Sequence, residues 1–243
     1  GFAPEILEKV LHLIQLLGHM ARYTFLAQRL VLKGGTALNL FVLDLPRLSV
    51  DIDLNYIGSG ELAAMQSDRP AVETALRGIF SRSGYEVRRA PNEHAGGKWQ
   101  LRYPSARGDG GSIEVDLNYM YRVPLWPPAT LDSRGVGSYR VDGVPVLDVH
   151  ELAAGKLAAL FARTSPRDLF DTHQLLTRVP LERDRLRLAF VVYGAMNRVD
   201  WRTVSLSRIE SAHEGLLDQL RHMLRRHVRP PEALGSQWAA RIA

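Results

Sequence analysis

The stretch LKGGTALNLFVLDLPRLSVDIDLNY, residues 32–56, couples a Gly-Gly turn to a strand carrying acid on alternate positions. The apolar residues ahead of Lys33 run into Gly34-Gly35, which predicts a strand, a turn, then a helix from Thr36 to about Val42. DIDLNYI alternates strictly, so Ile52, Leu54 and Tyr56 share one face while Asp51, Asp53 and Asn55 share the other. Carboxylates at i and i+2 sit about 6–7 Å apart at their Cα atoms. Left alone they repel and raise a pKa. A divalent cation removes that conflict, and magnesium favours carboxylates combined with phosphate oxygens. The glycine turn before a helix start offers backbone N–H groups and a positive dipole end to an anion, with the Thr36 hydroxyl beside it. The economical reading is a polyphosphate held against a metal ion.

Further along, SIEVDLNYM repeats the pattern, with Glu114, Asp116 and Asn118 on one face of a second strand. If the two strands are neighbours, a third carboxylate reaches the same metals or serves as general base to an attacking hydroxyl. Residues 4–29 read as one or two amphipathic helices, residues 68–83 as another, and YEVRRA and KWQLRYP as strands. VPLWPPATLDSRG carries too much proline for regular structure. A short strand near Val144 to Leu147 leads into a helix from about Val149 to Phe161. SPRDLFDTHQLL predicts the next helix, with Ser165 as N-cap and Pro166 at its first position. Beyond Val179 the pattern is helical to the end. The fold class is therefore α+β: a mixed sheet with helices over residues 1–147, then a helical part over residues 148–243.

With 46% apolar and 23% charged residues, the 243-residue chain has the composition of a soluble globular protein. It has no cysteine, which excludes disulfides, thiolate catalysis and Cys-based zinc sites. No apolar run approaches the roughly 18 residues of a membrane span, and no secretory signal is visible at the start. A cytoplasmic protein with no membrane partner is expected. The formal charge is +5. Arg178 to Arg229 holds eleven Arg against six Asp or Glu, so this segment carries the whole surplus and suits a polyanionic partner. Lys9, Lys33, Lys98 and Lys156 are the only lysines among many arginines; a lysine kept in such a chain hints that a compact ammonium is wanted. His150, His173, His213, His222 and His227 read as surface or capping residues, and Trp99, Trp126 and Trp201 as packing, with Trp126 also able to offer a stacking face.

Gly-Gly-Thr followed by Arg47, Ser49 and Asp-Ile-Asp-Leu resembles the nucleotidyltransferase superfamily, in particular the AbiEii/AbiGii toxins of abortive-infection and MenAT-type toxin–antitoxin systems. ELAAGKLAALFARTSPRDLFD is similar to that branch's second signature, a helix with a lysine followed by Arg-Asp-x-x-Asp. The two motifs span roughly Val31 to Leu176. The resemblance implies that Gly34, Gly35 and Thr36 hold a triphosphate and that Asp51 and Asp53 bind magnesium, or manganese in its place. It implies Asp116 as third carboxylate with Glu114 as its rival, Lys156 on phosphate, and Asp168 or Asp171 completing the site. Lys33, Arg47, Ser49 and Arg167 join the nucleotide-binding set, and Arg163 is placed to serve base, phosphate or RNA.

The implied reaction transfers NMP from an NTP to an acceptor, releasing pyrophosphate. By resemblance the acceptor is the 3′ end of tRNA, translation is blocked, and a cognate antitoxin is a partner. A protein or small-molecule acceptor, or a nucleotide-binding regulator without turnover, stands as the alternative. Ser49, two residues before Asp51, is a candidate for regulatory phosphorylation, because a phosphate there would crowd both aspartates.

Overall fold

The computed structural model describes residues 1–89, 96–197, 199–205, 207, 220 and 222–224. Pro4, whose missing N–H costs nothing in a first turn, opens helix α1 (Pro4–Arg22). Its Val10, Leu13, Ile14 and Leu17 recur at helical spacing and are all buried. A single turn, α2 (Thr24–Ala27), redirects the chain into strand β1 (Leu30–Lys33). Helix α3 (Gly34–Ala37) follows without an intervening loop and widens into a π-helical turn over Leu38–Val42. Strand β2 (Asp51–Tyr56), helix α4 (Leu62–Arg82) and strands β3 (Glu86–Arg89), β4 (Gly96–Tyr103), β5 (Gly111–Asn118), β6 (Ala129–Leu131) and β7 (Val144–Val146) come next. Helices α5 (Val149–Arg163), α6 (Pro166–Arg178) and α7 (Arg183–Ala195) close the described elements, apart from a 3-10 turn at Trp201–Thr203.

The seven strands form one sheet in the order β3-β4-β5-β2-β1-β7-β6. The pairs β2–β5 and β1–β7 are parallel and the others antiparallel. Trp99, Leu101, Tyr103, Ile113, Val115, Leu117, Ile52 and Leu54 are the buried members of alternating strands. They form one core with α1 and α4. Helices α3 and α5 stand with the opposite face, where α3 packs on β2 and α5 on α3. The mixed sheet followed by helices is the α+β architecture expected.

Four local readings need correction. α4 begins at Leu62, not near 68, and runs through Pro70. The ring removes one backbone donor, but the Gln66 carbonyl it deprives lies on an exposed residue that water can serve. The proline-rich segment contains β6, which the sequence concealed; it is short and sits at the sheet edge, where neighbouring prolines cost fewest ladder bonds. The helix expected from Thr36 already starts at Gly34 and ends with a five-residue bond from Leu43 N–H to the Leu38 carbonyl. His150 and His173 are buried, not on the surface. His150 does serve a cap, since its Nε2 accepts the N–H of Glu182 ahead of α7.

Candidate active site

Parallel pairing of β2 with β5 sets Asp51 beside Glu114 and Asp53 beside Asp116. Four carboxylates therefore lie on one face of two central strands. Burial is the first cause that raises the Asp51 carboxyl, with the charges of Asp53 and Glu114 adding to it. Asp116 is raised by burial and then by Asp53. Two lysines partly offset this charge. Lys98 pairs with Glu114 at 2.6 Å. Lys33, at the end of β1 and in register with Asp53, lies under the fields of Asp53 and Asp116; burial nonetheless pulls its ammonium pKa down.

The glycines are there because nothing larger fits. Gly34 has φ +74° and a Cβ on it would overlap the Asp53 carboxylate. A Cβ on Gly35 would come within 2.7 Å of the Ser49 Oγ and 3.0 Å of an Arg47 guanidinium nitrogen. The turn thus lies flush against the acidic strand. Thr36 is fully buried and its hydroxyl donates to the Asp51 carbonyl, fixing the start of β2. Ser49 is buried behind Gly35, just before that strand.

Behind the turn, α5 and α6 supply a chain of buried charges. Arg47 donates to both oxygens of Asp171, at 2.7 and 2.6 Å, and to the Leu48 carbonyl at 2.9 Å. Lys156 of α5 sits 2.8 Å from Asp171 and 3.1 Å from Asp168. Arg163 grips Asp168 at 2.6 and 3.1 Å. Asn39 donates to the Gly35 carbonyl at 2.8 Å and reaches Asp171 at 3.4 Å, tying the glycine turn into the same network. Burial alone would raise both aspartates. The Arg47 and Lys156 charges overcome it at Asp171, and Lys156 and Arg163 at Asp168, so both carboxyls are held below the usual range. The two acids of the Arg-Asp-x-x-Asp motif therefore face cations, while Asp51, Asp53 and Asp116 face one another. Arg167 is exposed on α6, and its charge reaches Asp51.

A cleft of about 270 Å³ joins these parts, lined by Lys33, Gly34, Gly35, Asp53, Lys156 and Arg163. Its far wall is Tyr121, Tyr193 and Glu151, which sequence reasoning missed. Tyr121 follows the acidic strand closely and was findable by position; Glu151 opens the second signature but was given no role there, and Tyr193 is a helical residue with no motif around it. A larger open groove of about 630 Å³, lined by residues such as Lys9, Arg102 and Asp109, contains none of the motif residues. Of the arginines in the basic C-terminal segment, Arg198, Arg208, Arg221, Arg225, Arg226 and Arg229 lie outside the described residues.

A family model described as the nucleotidyl transferase AbiEii toxin of a type IV toxin–antitoxin system matches residues 15–241. The chain belongs to the AbiEii nucleotidyltransferase toxin family. An AbiEii toxin implies a cognate antitoxin as partner. Two solved structures share the fold. MenT4, a nucleotidyltransferase toxin from Mycobacterium tuberculosis H37Rv, superposes with a TM-score of 0.61 at 19% identity, over 96% of this chain and 80% of that one. JHP933 from Helicobacter pylori gives 0.55 at 18% identity, over 100% of both chains. No curated protein matches the chain by sequence. Among the described residues of this AbiEii chain, no helix is long and apolar enough to cross a membrane.

Proposed function

We propose that the cleft transfers a nucleoside monophosphate from an NTP to an RNA hydroxyl, with the 3′ end of a tRNA as acceptor. The observation that carries this reading is the β2–β5 register, which places Asp53 and Asp116 side by side in front of the Gly34 turn. The donor set suits magnesium. Among the described residues no three acids converge as a ready-made metal cage, but magnesium needs only one or two carboxylates when substrate phosphates complete its shell. Asp51 and Asp53, with Asp116 or Glu114, would hold it; the raised Asp51 and Asp116 carboxyls mark charge that a cation would stabilise. When bound, magnesium supplies neutralisation and alignment of the phosphate oxygens.

The protein's own groups account for the remaining steps. Gly34 and Gly35 let the chain approach the β- and γ-phosphates, with Lys33 and Lys156 both lining the cleft. The acceptor oxygen forms a bond to the α-phosphorus as the α–β bridging bond breaks and pyrophosphate leaves. The hydroxyl proton passes to a carboxylate oxygen of Asp116, which stands beside Asp53 on the neighbouring strand. Positioning and charge stabilisation supply the rate, because little covalent chemistry falls to the protein. The arginine-rich C-terminal segment supports a polyanionic acceptor over a small molecule.

Incubation with total tRNA, Mg²⁺ and each α-labelled NTP in turn tests the proposal. Label transferred to tRNA and lost on removing the terminal nucleotide is the expected result. Label on a protein instead, or no pyrophosphate release with any NTP and acceptor, would reject it.

A further inference from the structure

Beyond the Tyr121–Tyr193 wall, a second cavity of about 230 Å³ opens against the phosphate cleft and shares Tyr121, Leu147, Glu151 and Tyr193 with it. Its floor is Asn55 and its sides include Met120, Val123 and Met196. Asn55 is 1% exposed, yet its Oδ1 has no hydrogen-bond partner among the described residues. Its neighbour in register, Asn118, differs. The Asn118 Oδ1 accepts the N–H groups of Met120 and Tyr121 and so shapes the loop that walls the cavity. The Asn118 oxygen is spent on the fold and the Asn55 oxygen is left without a partner. A buried acceptor without a partner costs free energy unless a ligand supplies a donor.

The wall is rigid. Tyr121 and Tyr193 stack with centroids 5.4 Å apart and an interplanar angle of 16°. The Tyr193 hydroxyl donates to Glu151 at 3.0 Å, and Glu151 also takes the N–H groups of Leu125 and Trp126. A slot with aromatic and aliphatic sides and a few polar groups, here Asn55, Arg122 and Glu151, is the chemistry of a planar heterocycle site.

We infer that this cavity holds the base of the incoming NTP, with Asn55 reading its edge. The inference rests on the nucleotidyl-transfer reading. Asn55 stands two residues beyond Asp53 on the same strand face, about 6–7 Å away. That is the span a ribose must bridge between a base and an α-phosphate held at Asp53. The unpartnered Asn55 Oδ1 is an acceptor, so it selects a base edge that presents an N–H to it. Selectivity among the four NTPs therefore belongs to Asn55 and the slot, and triphosphate affinity to the glycine turn.

Titration calorimetry with Mg²⁺ present, comparing inorganic tripolyphosphate with each of the four NTPs, separates the two. Wild-type protein is expected to bind its preferred NTP at least about tenfold more tightly than tripolyphosphate, and to rank the four NTPs. Asn55→Leu should level that ranking and leave tripolyphosphate affinity unchanged. Because Asn55 is buried, Met196→Trp provides the control: Met196 is 48% exposed, tolerates a larger side chain, and would fill the slot with the same loss of preference. Equal binding of all NTPs and tripolyphosphate in wild type, or a wild-type ranking kept by both variants, overturns the inference. So do variants that bind NTP normally while the KM for RNA rises, which would assign the slot to the acceptor's base. If tripolyphosphate and every NTP fail to bind, the transfer reading itself falls.

Discussion

Replacing Asp171 by alanine removes the anion on which three partners converge. Arg47 would lose contacts at 2.6 and 2.7 Å, Lys156 one at 2.8 Å, and Asn39 a longer one. The Arg47 side chain is 4% exposed and cannot turn to water. Removing one member of such a buried pair costs about 3–5 kcal/mol. For a chain of this size that lowers Tm by about 6–20 °C. Asp168→Ala should cost less, about 1–3 kcal/mol, since Arg163 is 64% exposed and can be solvated while Lys156 keeps Asp171. Calorimetry and urea unfolding of both variants should give that order. Asp171→Ala within about 3 °C of wild type, or Asp168→Ala the more damaging, would refute the reasoning. Acid unfolding gives a second reading of the same network. Both carboxyls are held below their usual range, so their stabilisation is complete above about pH 4 and is lost as the pH falls through the folded values. Asp171→Asn should lower stability most near neutrality and flatten the acid limb, so that variant and wild type converge as the pH falls.

Asp53→Ala should abolish transfer, measured as pyrophosphate release, while leaving Tm unchanged or slightly higher because it thins a crowded set of carboxylates; wild-type turnover by the folded variant would remove Asp53 from the metal site. Gly34→Ala combines a left-handed backbone with overlap on the Asp53 carboxylate. It should cost at least about 1 kcal/mol in urea unfolding and weaken tripolyphosphate binding, and an unchanged titration would contradict the flush packing. Ser49→Glu should lose NTP binding by thrusting an anion behind Gly35, whereas Ser49→Ala should keep it; full activity of Ser49→Glu would leave Ser49 without a control role.

The strands bearing acid were legible because alternation is local: Asp51 with Asp53 and Glu114 with Asp116 declare a shared face from spacing alone. Their being neighbours was not, since the β2–β5 register is a long-range parallel pairing. The Asn39–Asp171 and Arg47–Asp171 contacts were equally hidden, because pairing across the fold leaves no periodic trace. β6 escaped because three residues among prolines carry too little pattern to mark a strand. The slot walled by Tyr121 and Tyr193 joins a loop to a late helix, and only the folded chain brings those rings together.

The Arg47–Asp171 pair joins residues 124 positions apart, and this has a bearing on how the chain is made. During synthesis Arg47 and the glycine turn leave the ribosome well before α6 does. Until α6 emerges, Arg47 lacks its Asp171 partner and Lys156 lacks both Asp168 and Asp171, so a nascent or truncated chain carries the acidic strands without the charge network behind the cleft. The order of residues along the chain thus acts as a safety catch, because the cleft is not assembled until synthesis of the second motif is finished.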